Sequence, residues 1–341
     1  MRTKLKRLVY DSLGRTGAHA LLRPLLGGRG AIVLFHRILA DEPLSDYGPS
    51  ARLAMSPEGF RAIVAYLRSA GRDIVSLDEA MRRLRGVAAG RPFVCLTFDD
   101  GYRDNYETLY PICRELEVPI TVYVTTGLIE QRAPMWWYGL EAIVEKTDRL
   151  AFPKEAAIPD LPTRTPGEKE AAYERMDAWI RQADASLRAL VMGHLQRAYA
   201  TDFAALSDGQ AMTWEMVREL GESELVEIGA HTVSHSALSA LDADAARAEI
   251  ADGRTILEER LGRPVRHFAY PFGGAADAGE REFAICRELG FETATTTRPG
   301  TLKARHRDQP HSLPRLAASG VNTLAMLKAD LSGAPAALRG F

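Results

Sequence analysis

Phe93-Val94-Cys95-Leu96-Thr97-Phe98-Asp99-Asp100-Gly101-Tyr102 is the stretch on which the fold turns. Its first six residues carry no charge and show no polar alternation. Such a run suits a strand buried on both faces, as in a parallel sheet. The run stops at two adjacent carboxylates and an Asp-Gly turn signal. The same grammar recurs along the chain. Ala31–Phe35 is a short β-type run ending at His36, and Ile120–Val124 is another. Leu225–Ile228 leads into Gly229-Ala230-His231, and Val265–Tyr270 into Pro271-Phe272-Gly273. A further strand is expected near Phe291–Thr295, before Leu313-Pro314-Arg315.

Helical patterns separate these runs. Ser56-Pro57 opens a helix with Phe60, Ile63, Val64 and Leu67 on one face and Gly71 closing it. Ser76 and Glu79 make a capping-box pattern for a helix to about Leu84. Further helices are expected at Tyr106–Leu116, Thr213–Leu220, from Asp242 to Gly262, and near Glu282–Leu289. Strands alternating with helices, each strand ending in polar residues, point to an α/β barrel with functional groups at the strands' carboxyl ends. The rhythm breaks from about residue 133 to 210. Trp136-Trp137, a Pro-rich stretch near Ile158–Pro166 and a charged helical segment, Glu168–Leu190, look like a helical insertion between barrel elements. The expected organisation is a basic helical segment at 1–30, a barrel over 31–325 carrying the insertion, and a tail at 326–341.

Composition narrows the function. The 341 residues are 46% hydrophobic and 26% charged, enough apolar material for a substantial core. With 43 basic and 45 acidic residues the formal net charge is −2, so no basic excess speaks for nucleic acid. Cys95, Cys113 and Cys286 are odd in number and far apart. That excludes a disulfide scaffold and a cysteine zinc cluster, and it suits a reducing compartment. No run of ~18 apolar residues is present to span a bilayer. Residues 1–30 carry Arg2, Lys4, Lys6, Arg7, Arg15, Arg23 and Arg29 against Asp11 alone. Asp11 interrupts the apolar run that a secretory signal needs. The expectation is a basic amphipathic helix resting on an anionic membrane surface or packing on the barrel, in a cytoplasmic protein.

Two motifs carry the chemistry. Asp99-Asp100 directly after a buried strand is costly without positive charge beside it. His231-Thr232-Val233-Ser234-His235 follows another strand, and histidines at i and i+4 can face one metal if the segment is helical. Together they supply two imidazole nitrogens, one carboxylate and a second carboxylate to spare. That is the inventory of an open catalytic metal site. The Tyr270-Pro271-Phe272-Gly273 turn can offer a backbone N–H to an oxyanion.

Thr97-Phe98-Asp99-Asp100-Gly101, the His231/His235 pair and Phe268-Ala269-Tyr270-Pro271-Phe272-Gly273, in that order, resemble the polysaccharide deacetylases with the NodB-homology domain (carbohydrate esterase family 4). The resemblance runs from about Ala31 to Leu316. It implies a distorted (β/α)7 barrel and a metal-dependent hydrolase removing N-acetyl groups from an amino-sugar glycan or its precursor. It implies Asp99 as general base, Asp100, His231 and His235 as metal ligands, and the Phe272 backbone as oxyanion donor. Two features depart from the family pattern. No arginine precedes the Pro271 turn, and Arg315 is the expected substitute for orienting Asp99. No Leu-x-His motif follows Phe291, and His36 resembles the general acid of a permuted subgroup. Tyr270, Trp136 and Trp137 are expected to contact substrate, the tryptophans by stacking on a pyranose ring. The ion is expected to be Zn²⁺, with Co²⁺, Ni²⁺ or Mn²⁺ compatible with the same ligands. Other readings are a deformylase or other amide hydrolase of the same barrel acting on a lipid-linked sugar, and a non-catalytic glycan-binding protein.

Overall fold

The computed structural model describes residues 27–39, 43–322 and 324–335. The barrel expectation holds. Seven parallel strands close on themselves: β1 (Gly30–Phe35), β3 (Phe93–Phe98), β4 (Ile120–Val124), β5 (Val226–Ala230), β6 (His267–Ala269), β7 (Thr293–Pro299) and β8 (Leu313–Ala317). A short β2 (Asp73–Ile74) pairs with the start of β3. Closure rests on β1, which runs in register with β3 from Gly30 opposite Phe93 to Phe35 opposite Phe98, and meets β8 at Val33 and Leu316.

Because side chains alternate across a strand, each strand feeds two cores. Val33, Phe35, Val94, Leu96, Phe98, Val122 and Ile228 pack outward into the main apolar cluster with the surrounding helices. Phe93, Cys95, Ile32, Tyr123, Ala269 and Leu313 form another cluster with Leu77, Met81 and Leu84 of α2 (Leu77–Leu84), which closes that end of the barrel. The parity that faces Phe93 and Cys95 toward this inner cluster continues to Thr97 and Asp99. The same holds for Leu313 and Arg315. Two charged residues are thus carried into the barrel by strand periodicity alone.

Helix α1 (Pro57–Ser69) is capped by Ser56, whose hydroxyl accepts the Gly59 N–H, and buries the expected Phe60, Ile63, Val64 and Leu67. The expected helix at Tyr106 begins as a π-turn over Asn105–Leu109 and becomes α3 over Tyr110–Leu116. The insertion contains α4 (Trp136–Lys146), α5 (Pro166–Gln182), α6 (Ala185–Ala198) and a short turn of helix at Phe203–Ser207. Where one charged helix was expected there are two, because the Asp184 carboxylate caps a new start by accepting the Leu187 N–H. Leu140, Ile143, Val144, Met176, Ile180, Val191, Leu195 and Phe203 give the insertion its own apolar cluster. The chain re-enters the barrel through α7 (Trp214–Glu222), capped by Thr213, and α8 (Ala243–Leu261) and α9 (Glu280–Glu288) follow.

The expected tail from residue 326 is corrected by α10 (Leu324–Leu331). Leu327 and Leu331 are buried in the main cluster, and the Leu331 carbonyl accepts a bond from Arg72. An apolar i, i+4 pair secures this helix to the barrel. The basic segment expected at 1–30 lies almost wholly outside the described residues.

Phe98 stacks on Phe35 across the closing strand pair at 5.0 Å and meets Phe60 of α1 at 5.9 Å. Phe98→Ala is expected to cost about 3–5 kcal/mol of unfolding free energy through the cavity left behind. Chemical denaturation checks this.

Candidate active site

The site sits at the carboxyl ends of β1, β3, β5 and β6, with Arg315 reaching in from within β8. After β3 the chain turns through left-handed backbone at Asp100 (φ 76°) and Gly101 (φ 81°). Aspartate tolerates that region better than most residues. The turn puts both carboxylates in the barrel mouth, each 2% exposed.

Asp99 is gripped by Arg315 from β8. Nη1 donates to Oδ1 and Nη2 to Oδ2, both at 2.7 Å. Nε donates to the Thr296 carbonyl (2.9 Å) and Nη1 also reaches the Thr97 hydroxyl (3.3 Å), so each guanidinium nitrogen has a partner although Arg315 is only 1% exposed. Burial works against charge on Asp99, but the Arg315 guanidinium beside it outweighs it and holds the carboxyl below its ordinary value. The expected orienting contact is therefore present in bidentate form.

The segment 231–235 was expected to bring its histidines together as a helix. It does so as a loop. Thr232 (φ 67°) and His235 (φ 57°) lie in left-handed backbone, and the Thr232 hydroxyl accepts the His235 N–H at 3.1 Å. Glu249 of α8 holds the loop by accepting the N–H groups of Val233 (3.0 Å) and Ser234 (2.9 Å) and the Ser234 hydroxyl (2.7 Å). Gly253, one turn further along α8, permits that approach: a Cβ there would lie 2.9 Å from the Thr232 carbonyl carbon.

His231 Nε2 and His235 Nε2 stand 3.3 and 3.1 Å from Asp100 Oδ1. The donor atoms of this trio all lie within 4.8 Å of one another. Asp99 Oδ2 is 3.9 Å from His231 Nε2, alongside the trio and outside it. His231 Nδ1 lies 2.7 Å from the Ala269 carbonyl, which can only accept. Nδ1 therefore carries a proton, which leaves Nε2 as the ring atom turned toward Asp100. Asp100 Oδ1 is itself buried without a hydrogen-bond donor. With the rings neutral, two Nε2 lone pairs and a carboxylate facing one point repel unless a cation joins them. A backbone carbonyl behind a ligating imidazole is the usual support of a metal site. The donor set thus fits a divalent ion.

His36 follows β1 and lines the same pocket, which has a volume of about 270 Å³. Its backbone is clamped on both sides. Asn105 Nδ2 donates to the His36 carbonyl (2.8 Å), while Asp104 accepts the Ile38 N–H (2.8 Å) and pairs with Arg37 (2.8 Å). Burial lowers the His36 pKa, the neighbouring Asp100 and Asp99 offsetting only part of it. Phe272 also lines the pocket, in left-handed backbone (φ 60°), with its carbonyl held by the Thr297 hydroxyl (2.5 Å). No hydrogen bond uses its N–H among the described residues.

Trp136 and Trp137 line the pocket, with Trp137 Nε1 donating to the Tyr102 hydroxyl at 3.1 Å. Tyr270 is a correction. It is fully buried in the main cluster between Phe268 and Phe283, and its hydroxyl donates to the His311 carbonyl, so it has no face toward substrate. It lies on the outward parity of its strand, opposite to Ala269. Sequence reasoning missed Tyr173, Asp177 and Arg181 of α5, which also line the pocket. Their i, i+4, i+8 spacing marks one helix face, but nothing local says which face meets the barrel. Glu249 was equally silent.

Residues 86–294 match the family model of the polysaccharide deacetylases. No curated protein sequence matches the chain. Among solved structures the fold is similar to the Streptococcus pyogenes deacetylase PplD in complex with acetate, with TM-score 0.58 at 18% identity, covering 88% of this chain and 97% of that one. It is also similar to IcaB from Ammonifex degensii, with TM-score 0.55 at 20% identity, covering 89% of this chain and 96% of that one. A de-N-acetylase from Aggregatibacter actinomycetemcomitans gives TM-score 0.57 at 14% identity, covering 88% of this chain and 99% of that one. At these identities the likeness establishes the fold.

Arg315→Met leaves Asp99 buried without its partner. It is expected to cost about 3–5 kcal/mol of stability and to move the acid limb of any rate profile to higher pH, since the Asp99 carboxyl rises when the guanidinium is gone. Adding Asp99→Asn should return much of the stability and none of the rate. Denaturation curves and pH–rate profiles of the three variants test this.

Proposed function

The chain belongs to the polysaccharide deacetylase family and is a hydrolase of carbon–nitrogen bonds other than peptide bonds; from that premise we propose that it removes N-acetyl groups from an amino sugar in a glycan or glycan precursor, using a divalent ion held by Asp100, His231 and His235. The observation that carries this reading is the paired Asp99 and Arg315 beside those three donors at one pocket. A mere glycan binder has no use for a buried base next to three convergent ligands.

Zinc suits the ligand set best, and an ion bound there supplies Lewis acidity toward the amide oxygen and eases ionisation of water. The chain's own groups do the rest. Asp99, held ionised and aimed by Arg315, takes a proton from the attacking water. The new bond forms between that water oxygen and the acetamide carbon. The Phe272 N–H donates to the oxyanion that develops, in a site where no protein acceptor competes for it. His36, in its charged form, gives a proton to the nitrogen as the carbon–nitrogen bond breaks. A buried ring with a lowered pKa is a ready donor. Acetate and a free amine leave. Positioned acid–base groups contribute about 10²–10⁴-fold each. Trp136, the less buried of the two tryptophans, is the one on which a pyranose ring would stack, with Trp137 packed behind it.

Residues 1–30 support a second element of the proposal. Their basic excess suits peripheral contact with an anionic bilayer on its cytoplasmic face. No helix among the described residues is long and apolar enough to cross a membrane.

Asp100→Ala is expected to lose bound metal. Asp99→Asn should keep it and lose at least a hundredfold in rate, within the range for a general base. Elemental analysis beside mass identification of the acid released from acetamido sugars checks both, and release of formate in place of acetate would redirect the reading to a deformylase. Co-sedimentation with anionic vesicles should fall with salt and on deleting residues 1–26; binding indifferent to both removes the membrane contact.

A further inference from the structure

A second pocket, of about 470 Å³, adjoins the first, and the two share Trp136, Arg181, His235 and Phe272. It opens on the insertion side. Its walls include Ile180, Ala185, Ala189, Met192 and Phe203 of the inserted helices. Several of the neutral polar groups that line it already have partners within the protein, while the Gln196 amide nitrogen and His235 Nδ1 have none among the described residues. Ser234 donates to Glu249 and lies 2.8 Å from the Ser236 hydroxyl, and Gln196 Oε1 accepts the Phe203 N–H at 3.3 Å. No aspartate or glutamate lines it. Its charges are the guanidiniums of Arg181 and Arg188. Arg181 pairs with Asp177 at 2.5 Å and lies over the Phe272 ring at 4.8 Å, so it stands in the shared wall. Arg188 has no side-chain ion pair or hydrogen bond among the described residues; its backbone N–H donates to the Asp184 carbonyl at the start of α6.

An apolar trough with an unpartnered guanidinium, ending at the wall of a sugar-hydrolysing pocket, fits one kind of molecule. The molecule combines a hydrocarbon chain, an anionic group and an amino sugar. A plain polysaccharide would find no match for the trough's mainly apolar lining. Burial of apolar chain, at about 25 cal/mol per Å², favours the hydrocarbon, and a guanidinium favours a phosphate. We propose that the second pocket holds the phosphate and proximal isoprene units of a polyprenyl-phosphate-linked acetamido sugar, with Arg188 on the phosphate. This rests on the deacetylase reading for the sugar end alone; the pocket's affinity for the prenyl phosphate does not depend on it.

The test titrates the full-length chain with farnesyl phosphate, farnesol and inorganic phosphate, followed by calorimetry and by tryptophan fluorescence, since Trp136 lines both pockets. Farnesyl phosphate is expected to bind at least tenfold more tightly than either fragment. Arg188→Glu and Ala189→Trp should each weaken it at least tenfold, and Arg188→Lys should recover part of the loss. Melting temperature and metal content report that each variant is folded. Absence of farnesyl phosphate binding, or equal binding by folded Arg188→Glu and Ala189→Trp proteins, overturns the proposal. Failure to release acetate from any acetamido sugar, with farnesyl phosphate binding and its variant pattern intact, supports the pocket and overturns the deacetylase reading.

Discussion

The bidentate bond between Arg315 and Asp99 is the constraint around which the site is arranged. Two opposite charges, nearly inaccessible to solvent, sit inside a barrel whose other interior residues are largely apolar or hydroxyl-bearing. Neither is tolerable alone. Their pairing joins β3 to β8 across β1, the strand that closes the cylinder between them. Fold and chemistry are thereby coupled. The geometry that lets the barrel shut also holds one carboxylate ionised and leaves its neighbour, Asp100, turned toward the two imidazoles.

Much of this was legible in the chain. Uncharged runs ending in polar residues marked the strands, and the caps at Ser56, Ser76, Thr213 and Asp242 marked helix starts within a residue. Strand parity was enough to make Arg315 and Asp99 point the same way. Other features depended on long-range packing. The 231–235 loop converges its histidines through left-handed backbone supported by Glu249, and no local signal distinguishes that from a helical i, i+4 pair. Tyr270 sat in a motif beside the site, yet parity faces it outward into the core. The α5 face at Tyr173, Asp177 and Arg181 is set by where the insertion docks, which a single sequence does not encode in any short window.

Support around the site is asymmetric. The His231 and His235 side rests on a glutamate and a glycine of one helix, Glu249 and Gly253, so that α8 acts as the rear plate of the loop. The His36 side rests instead on the turn after β3, where Asp104 and Asn105 tie down the backbone flanking that residue. The same few residues, 99 to 105, therefore carry the Asp99 and Asp100 carboxylates and the anchor of the neighbouring strand β1. A single turn sets the relative placement of Asp99, Asp100 and His36, which come from two adjacent strands.

The inserted helices bury their own apolar cluster apart from that of the barrel. Perturbations far enough apart to share no partners tend to add independently. That independence stops at one face of α5, where Tyr173, Asp177 and Arg181 enter the pocket that holds Asp99 and Asp100, and Arg181 lies over the Phe272 ring. Drift confined to α6 leaves that wall in place, whereas a change on this face of α5 is felt by the carboxylates across the pocket.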